Sequence, residues 1–140
     1  MSTQEKILTF LAQHKECVLA TVGEDGKPQA ATVGFSETPH LELTIGTSKN
    51  SRKYQNILHN SHVAVVVGFS GDTTVQYEGT ARELTGEELA ERQELHFQKV
   101  PGAQYFQKNP DQIYLSVTPS WVRYTDFSQP NPIEELEQFV

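Results

Sequence analysis

Short apolar runs separated by polar turns recur along the chain, and this pattern predicts a protein built mostly from β-strands. The strand patterns cover residues 16–23, 28–36, 40–46, 62–69, 74–84, 112–118 and 121–127. In the third run Leu41, Leu43 and Ile45 alternate with polar residues, which is typical of a strand with one buried face. The run from 62 to 69 is almost continuously apolar and predicts a strand buried on both faces. The Asp25-Gly26 pair between the first two runs favours a hairpin turn.

Helical patterns interrupt the strands. We expect helices over residues 4–13, from a polar turn near residue 50 to Asn60, and over 86–99. Thr85 and Glu88 have the spacing of a capping box before the third helix. We expect residues 103–111 to form a short irregular or helical connection. The acidic tail, residues 128–140, contains two prolines and suits either a short terminal helix or a flexible end.

Together these elements predict a mainly β fold. Some seven short strands with interspersed helices point to a closed, mainly antiparallel β-barrel with peripheral helices. No linker or internal repeat divides the sequence, so we expect a single domain over residues 1–140.

The composition excludes several classes of function. No apolar run approaches the roughly 20 residues of a membrane span, and the N-terminus lacks the pattern of a secretory signal. The single cysteine, Cys17, cannot form an internal disulfide, which fits a cytoplasmic protein. A net charge of -7 argues against nucleic-acid binding. The five histidines show no metal-ligand spacing, so we expect no metal site.

One basic turn contrasts with this acidic background. Three of the 11 Lys and Arg residues fall within residues 49–53, in the segment TSKNSRK that begins at Thr47. Hydroxyl groups and cations at the start of a helix suit a phosphate, because the free N–H groups and the helix dipole already favour an anion there. The alternative is a solvated helix cap with incidental basic residues, and the turn by itself leaves both interpretations open.

Three motifs relate the chain to a known family. They are Leu19-Ala20-Thr21-Val22 followed by Asp25-Gly26-Lys27-Pro28; Thr47 with Ser51-Arg52-Lys53, Asn56-Ile57 and His59-Asn60; and VQYEGTA at residues 75–81. In this order and spacing, over about residues 5 to 127, the chain resembles the pyridoxamine 5′-phosphate oxidase-like, FMN-binding split β-barrel family. The resemblance is to the branch of the bacterial general stress proteins.

The resemblance implies an FMN site and its residues. Arg52 and Lys53 would bind the FMN phosphate, with hydrogen bonds from Ser51 and Thr47, and the backbone of residues 30–34 would run along the flavin ring. The full implied set of cofactor-binding residues is Ala31, Thr32, Gly46, Thr47, Ser51, Arg52, Lys53, Thr74 and Gln76. The family is generally homodimeric with FMN at the subunit interface, so the resemblance also implies a homodimer.

The chain departs from the founding oxidase of this family at the substrate site. It has no counterpart of the Arg-x-His segment near the C-terminus, where it reads WVRYTDFSQP. This argues against authentic pyridoxamine 5′-phosphate oxidase activity and favours a smaller FMN-dependent oxidoreductase whose small-molecule substrate and catalytic residues are unknown. The alternatives on the same fold are a non-catalytic haem- or flavin-binding sensor or store, and a reductase that uses F420. Trp121 suits either a position near the flavin or dimer contact, or packing at the barrel end.

Overall fold

Eight strands form one antiparallel sheet in the computed structural model, which describes residues 1–140. The strands are β1 (Glu16–Val22), β2 (Pro28–Gly34), β3 (Ser36–Glu37), β4 (Leu43–Ser48), β5 (His62–Val67), β6 (Thr73–Glu83), β7 (Gln112–Asp126) and β8 (Ile133–Leu136). The helices are α1 (Thr3–Ala12), α2 (Arg52–His59) and α3 (Gly86–Lys99), and a 3₁₀ segment covers Pro101–Lys108. The predicted mainly β fold with peripheral helices is confirmed. None of the helices is both long and apolar enough to cross a membrane.

The sheet curls into a half-barrel with one open seam. Its strand order is β2-β1-β5-β6-β7-β4-β3, with β8 paired to β7. Strand β2 comes back towards β4, but the two strands share no ladder of hydrogen bonds. The barrel is therefore split between β2 and β4. Helix α2 begins directly after β4 and packs against β1, next to this seam.

The inner face of the curled sheet carries the hydrophobic core. Leu19 of β1 pairs with Val65 of β5, and both are almost fully buried. Helix α1 closes one opening of the half-barrel with Ile7 and Leu11, as its amphipathic pattern predicts. Tyr77 is also buried, and its hydroxyl reaches backbone carbonyl oxygens at 2.8 Å and 3.0 Å.

Several strand predictions were wrong. The third strand begins at Leu43 rather than at residue 40, because Leu41 lies outside it with a left-handed φ of 63°. Both faces of its first half are buried, since Arg92 of α3 covers Thr44.

In β5 only alternate residues are buried, because the sheet is antiparallel and its outer face is uncovered in this chain. Residues 112–126 form one strand rather than two, since the ladder shifts register beside Gly79, which pairs with Pro119. This irregularity accommodates a proline, which has no N–H to donate to the ladder, without ending the strand.

Two predictions about helices were also wrong. The tail forms no helix; its Ile133–Leu136 segment adds β8 to the long strand β7, from Val122–Leu136 to Thr125–Ile133. The acidic side chains in β8 pair with basic groups, including Glu134 with Lys6 at 3.0 Å. Helix α3 begins at Gly86 as expected, but Thr85 makes no side-chain cap hydrogen bond.

Candidate functional site

The start of helix α2 is built from interacting hydroxyl groups. Ser51 caps the helix in an extended conformation, and its Oγ accepts the Tyr54 N–H at 3.3 Å. The Thr47 hydroxyl at the end of β4 donates to Ser51 Oγ at 3.0 Å. Ser51 accepts both of these bonds and donates none within the chain, so its hydroxyl hydrogen is available to a ligand.

The two cations at this helix start have no carboxylate partner. The chain has four arginines, and the other three pair with acidic residues: Arg82 with Glu88, Arg92 with Glu42, and Arg123 with Glu135. Arg52 is exposed and makes no side-chain hydrogen bond or ion pair. Lys53 makes only a long contact of 3.5 Å from Nζ to Thr47 Oγ1. The first turn of α2 also contains no acidic residue, so the positive end of the helix is uncompensated.

A small cavity adjoins the two cations. It has a volume of about 130 Å³ and is lined by Leu19, Thr21, Gln29, Ala30, Ala31, Arg52 and Lys53. Strand β2 is an edge strand of the sheet, so part of its backbone N–H and C=O groups are free beside this cavity. The site thus combines a cationic helix start with an unpaired strand edge made of small residues.

Asn56 holds the helix start in this position. Its Nδ2 donates to Thr21 Oγ1 and to Gln29 Oε1, both at 3.0 Å. Thr21 and Gln29 face each other in the ladder between β1 and β2. Asn56 therefore fixes α2 against both strands. Sequence reasoning did not include these three residues in the site, although Thr21 and Asn56 lie within the recognised motifs.

The structure brings together five of the nine predicted site residues. Ala31, Arg52 and Lys53 line the cavity, and Thr47 and Ser51 contact Lys53 or each other beside it. The other four lie elsewhere.

Gly46 is next to Thr47 in β4 but lines a different cavity, on the opposite face of the strand. Thr74 donates its hydroxyl hydrogen to the Val67 carbonyl oxygen at 3.1 Å. Thr32 and Gln76 are exposed on the outer surface of the sheet, in one row but three strand spacings apart, or about 14 Å.

That outer surface is apolar in its centre. We call it the outer face; its two rows are Thr32, Val18, Val66, Gln76 and Arg123, and Ala30, Ala20, Ala64, Glu78 and Trp121. Val66 is 38% exposed, and Ala64 is exposed beside it. Trp121 lies at the polar end of this face, where its Nε1 donates to Glu135 at 3.3 Å and Arg123 stacks over its ring at 5.4 Å.

The cavity beside Arg52 and Lys53 contains no evident nucleophile or acid–base pair. Cys17 is fully buried, and burial raises the pKa of its thiol to about 12. The Tyr54 hydroxyl donates to Glu83 at 2.7 Å, and this hydrogen bond raises the pKa of Tyr54. The arrangement is suited to holding an anionic ligand rather than to attacking a substrate directly.

Comparisons with solved structures agree on the fold. A heme binding protein from Mycobacterium smegmatis has a TM-score of 0.85 at 20% identity, over 98% of this chain and 58% of that protein. The General Stress Protein 26 of Bacillus anthracis has a TM-score of 0.73 at 22% identity, covering 99% of this chain and 100% of that one. A provisionally assigned pyridoxamine 5′-phosphate oxidase from Listeria innocua has a TM-score of 0.73 at 26% identity, with coverages of 88% and 98%.

The comparisons differ in how much of each relative they cover. The chain spans less than two thirds of the length of the M. smegmatis protein. No curated protein matches it at significant sequence similarity. A family model described as pyridoxamine 5′-phosphate oxidase matches residues 3–126. The chain belongs to the pyridoxamine 5′-phosphate oxidase-like family.

Proposed function

We propose that this protein is an FMN-binding flavoprotein that holds the FMN phosphate at the start of α2. The observation that carries the proposal is Arg52, the one arginine without a carboxylate partner, placed at a helix N-terminus beside a cavity. Arg52 and Lys53 supply positive charge, and the Ser51 hydroxyl supplies a free donor. Backbone N–H groups of the first turn of α2 complete a donor set suited to a phosphate dianion.

The flavin ring would lie along the edge of β2. Ala30 and Ala31 have only methyl side chains, so a flat ring can approach the backbone of this edge closely. We propose that a second copy of the chain covers the outer face, and that the cofactor lies at this subunit interface. The exposed apolar residues Ala64 and Val66 on that face support the dimer, because such a surface is stabilised when it is removed from water.

Bound FMN would supply hydride or electron transfer, and the protein would supply binding and orientation. Arg52, Lys53 and Ser51 fix the phosphate end, and Asn56 fixes the helix that carries them. No side chain in the cavity beside Arg52 and Lys53 is placed to act as a general acid or base. The proposed activity is therefore an FMN-dependent oxidoreduction of a small molecule.

The test is a titration of the purified apoprotein with FMN, followed by flavin fluorescence. The double variant Arg52→Gln/Lys53→Gln is expected to weaken FMN binding by about 3 kcal/mol, or roughly 150-fold, taking about 1.5 kcal/mol for each charged hydrogen bond. Riboflavin, which lacks the phosphate, is expected to bind the parent and the double variant equally. The control Lys27→Gln/Lys108→Gln removes the same charge elsewhere and is expected to bind FMN normally.

An unchanged FMN affinity in the Arg52/Lys53 variant would show that the start of α2 does not bind the FMN phosphate. Absence of any FMN binding by the parent protein would refute the flavoprotein proposal itself.

A haem-binding function is the competing proposal, supported by the fold shared with the M. smegmatis protein. His59 and His62 are exposed, with His59 Nε2 3.8 Å from Glu24 Oε2, and either is a candidate iron ligand. A Soret band on haem titration that disappears in a single histidine variant would favour haem over FMN. A competitive titration of FMN against F420 would show which of these two cofactors the protein prefers.

A further inference from the structure

A second cavity lies on the other side of β4 from the basic turn. Its volume is about 360 Å³, within the range of small-molecule pockets. Its walls come from the sheet, the end of α3 and the 3₁₀ segment, and include Gly34, Gly46, His96, Phe106, Gln112 and Tyr114. We call it the α3 cavity. It shares no lining residue with the cavity beside Arg52 and Lys53.

His96 brings an unpartnered polar atom to this cavity. The residue is only 2% exposed, and its Nδ1 is hydrogen-bonded to the Ser36 hydroxyl at 2.9 Å. Its Nε2 makes no hydrogen bond within the chain and is not fully enclosed, and the residue lines this cavity. Burial, with a smaller contribution from the Lys99 charge, lowers the pKa of His96 to about 4. The imidazole is therefore neutral near pH 7, and one ring nitrogen is free to accept or donate.

Tyr114 adds a second unpartnered group. Its residue is 3% exposed, and its hydroxyl is the only fully enclosed side-chain polar atom without a hydrogen-bond partner. The Gln112 amide lies beside that hydroxyl without reaching hydrogen-bond geometry. The ring centroids of His96 and Tyr114 are 5.9 Å apart. The enclosed Tyr114 hydroxyl and the accessible His96 Nε2 thus both lack a hydrogen-bond partner in the chain, and natural proteins rarely leave a buried polar group such as the hydroxyl unpaired.

The backbone keeps this arrangement open. A Cβ on Gly46 would lie 2.8 Å from Gln112 Nε2 and 3.0 Å from Tyr114 Cε1, so a larger residue would require these two side chains to shift. A Cβ on Gly34 would meet neighbours only at 3.7 Å and beyond, in ordinary contact. Gly34 can therefore accept a methyl group, which projects beside the cavity without disturbing the fold.

The lining also limits the charge of a ligand. No Lys, Arg, Asp or Glu side chain lines the α3 cavity, and His96 is neutral. An ion would lose its hydration there without gaining a countercharge, which is strongly unfavourable. Phe106, Val100 and Ala103 provide apolar contact for a ring. We propose that the α3 cavity binds a small uncharged aromatic molecule with one hydroxyl group, and that this hydroxyl bonds to His96 Nε2.

The test uses phenol as the probe on the ¹⁵N-labelled full-length protein. Phenol is expected to produce saturable NMR shifts at the Gly34, Gly46 and Gly102 amides and at His96 Nε2. Benzoate and benzylamine, which have similar rings but carry charge, are expected to leave these signals unchanged. His96→Phe is expected to weaken phenol binding by about tenfold or more.

A second variant covers the case in which His96→Phe does not fold. Gly34→Ala should fold, because its Cβ meets neighbours only at 3.7 Å and beyond, and it should narrow the cavity and weaken phenol binding severalfold. The Arg52→Gln/Lys53→Gln variant should bind phenol normally. The phenol proposal and the FMN proposal can therefore fail separately. The proposal is overturned if phenol shifts do not saturate, if they survive both cavity variants, or if no probe moves these signals because the cavity holds only water.

Discussion

Acidification is expected to destabilise the protein through His96. The pKa of this imidazole falls from 6.5 in the unfolded chain to about 4 in the folded one, because burial disfavours its charged form. Between these two values the unfolded state binds a proton that the folded state does not, so stability falls as the pH drops through this window. From about pH 7 to about pH 5 the loss amounts to about 2 kcal/mol, at about 1.4 kcal/mol for each unit of difference.

The assay is urea unfolding at both pH values, followed by the fluorescence of Trp121, the single tryptophan. His96→Phe replaces the imidazole with an aromatic ring that does not titrate, so the stability of this variant should differ much less between the two pH values. His62→Phe provides the control, because His62 is exposed and its replacement should leave the full dependence. If the parent protein and His96→Phe lost the same stability on acidification, the buried neutral histidine would not be its source.

Three further substitutions test the architecture. Asn56→Ala removes both hydrogen bonds that tie α2 to Thr21 and Gln29; it should lower stability by about 1–3 kcal/mol and also weaken FMN, as measured by urea unfolding and FMN titration. Gly79→Ala would place a Cβ only 2.2 Å from the Thr118 carbonyl oxygen, so a loss of about 2 kcal/mol or more is expected in thermal unfolding, and an unchanged melting temperature would contradict the tight approach. Tyr77→Phe leaves buried carbonyl oxygens without their hydroxyl donor and should cost about 1–3 kcal/mol, while FMN affinity should stay unchanged because this side chain lies in the core.

The strands and the basic turn could be predicted because their signals are local. Alternating apolar residues define one buried face, and the Asp25-Gly26 turn joins β1 to β2, with Gly26 at a φ of 82° as that turn requires. Ser51 and its neighbours also act within a few residues of one another. For these features the nearby sequence already contains the interacting groups.

Features that depend on distant partners were missed. Strand β8 has a helix-like acidic composition, and it pairs as a strand because β7 extends far enough to receive it. The composition of β5 suggested burial on both faces, whereas the surface of the sheet that it presents is uncovered in the single chain. Asn56 had no visible role until α2 was placed against Thr21 and Gln29. For Asn56 the deciding contacts join residues 35 and 27 positions apart in the sequence.

Strand β4 connects the two candidate sites and explains why they are separate. Successive side chains of a strand point to opposite faces, so Thr47 reaches the basic turn while Gly46 lies against Gln112 and Tyr114 in the α3 cavity. A shift of one residue in the pairing with β7 would exchange these two positions. It would take the Thr47 hydroxyl away from Ser51 and place a threonine side chain where Gly46 now lies against Gln112 and Tyr114. The same register therefore specifies both the hydroxyl that supports the proposed phosphate site and the glycine that keeps the second cavity open.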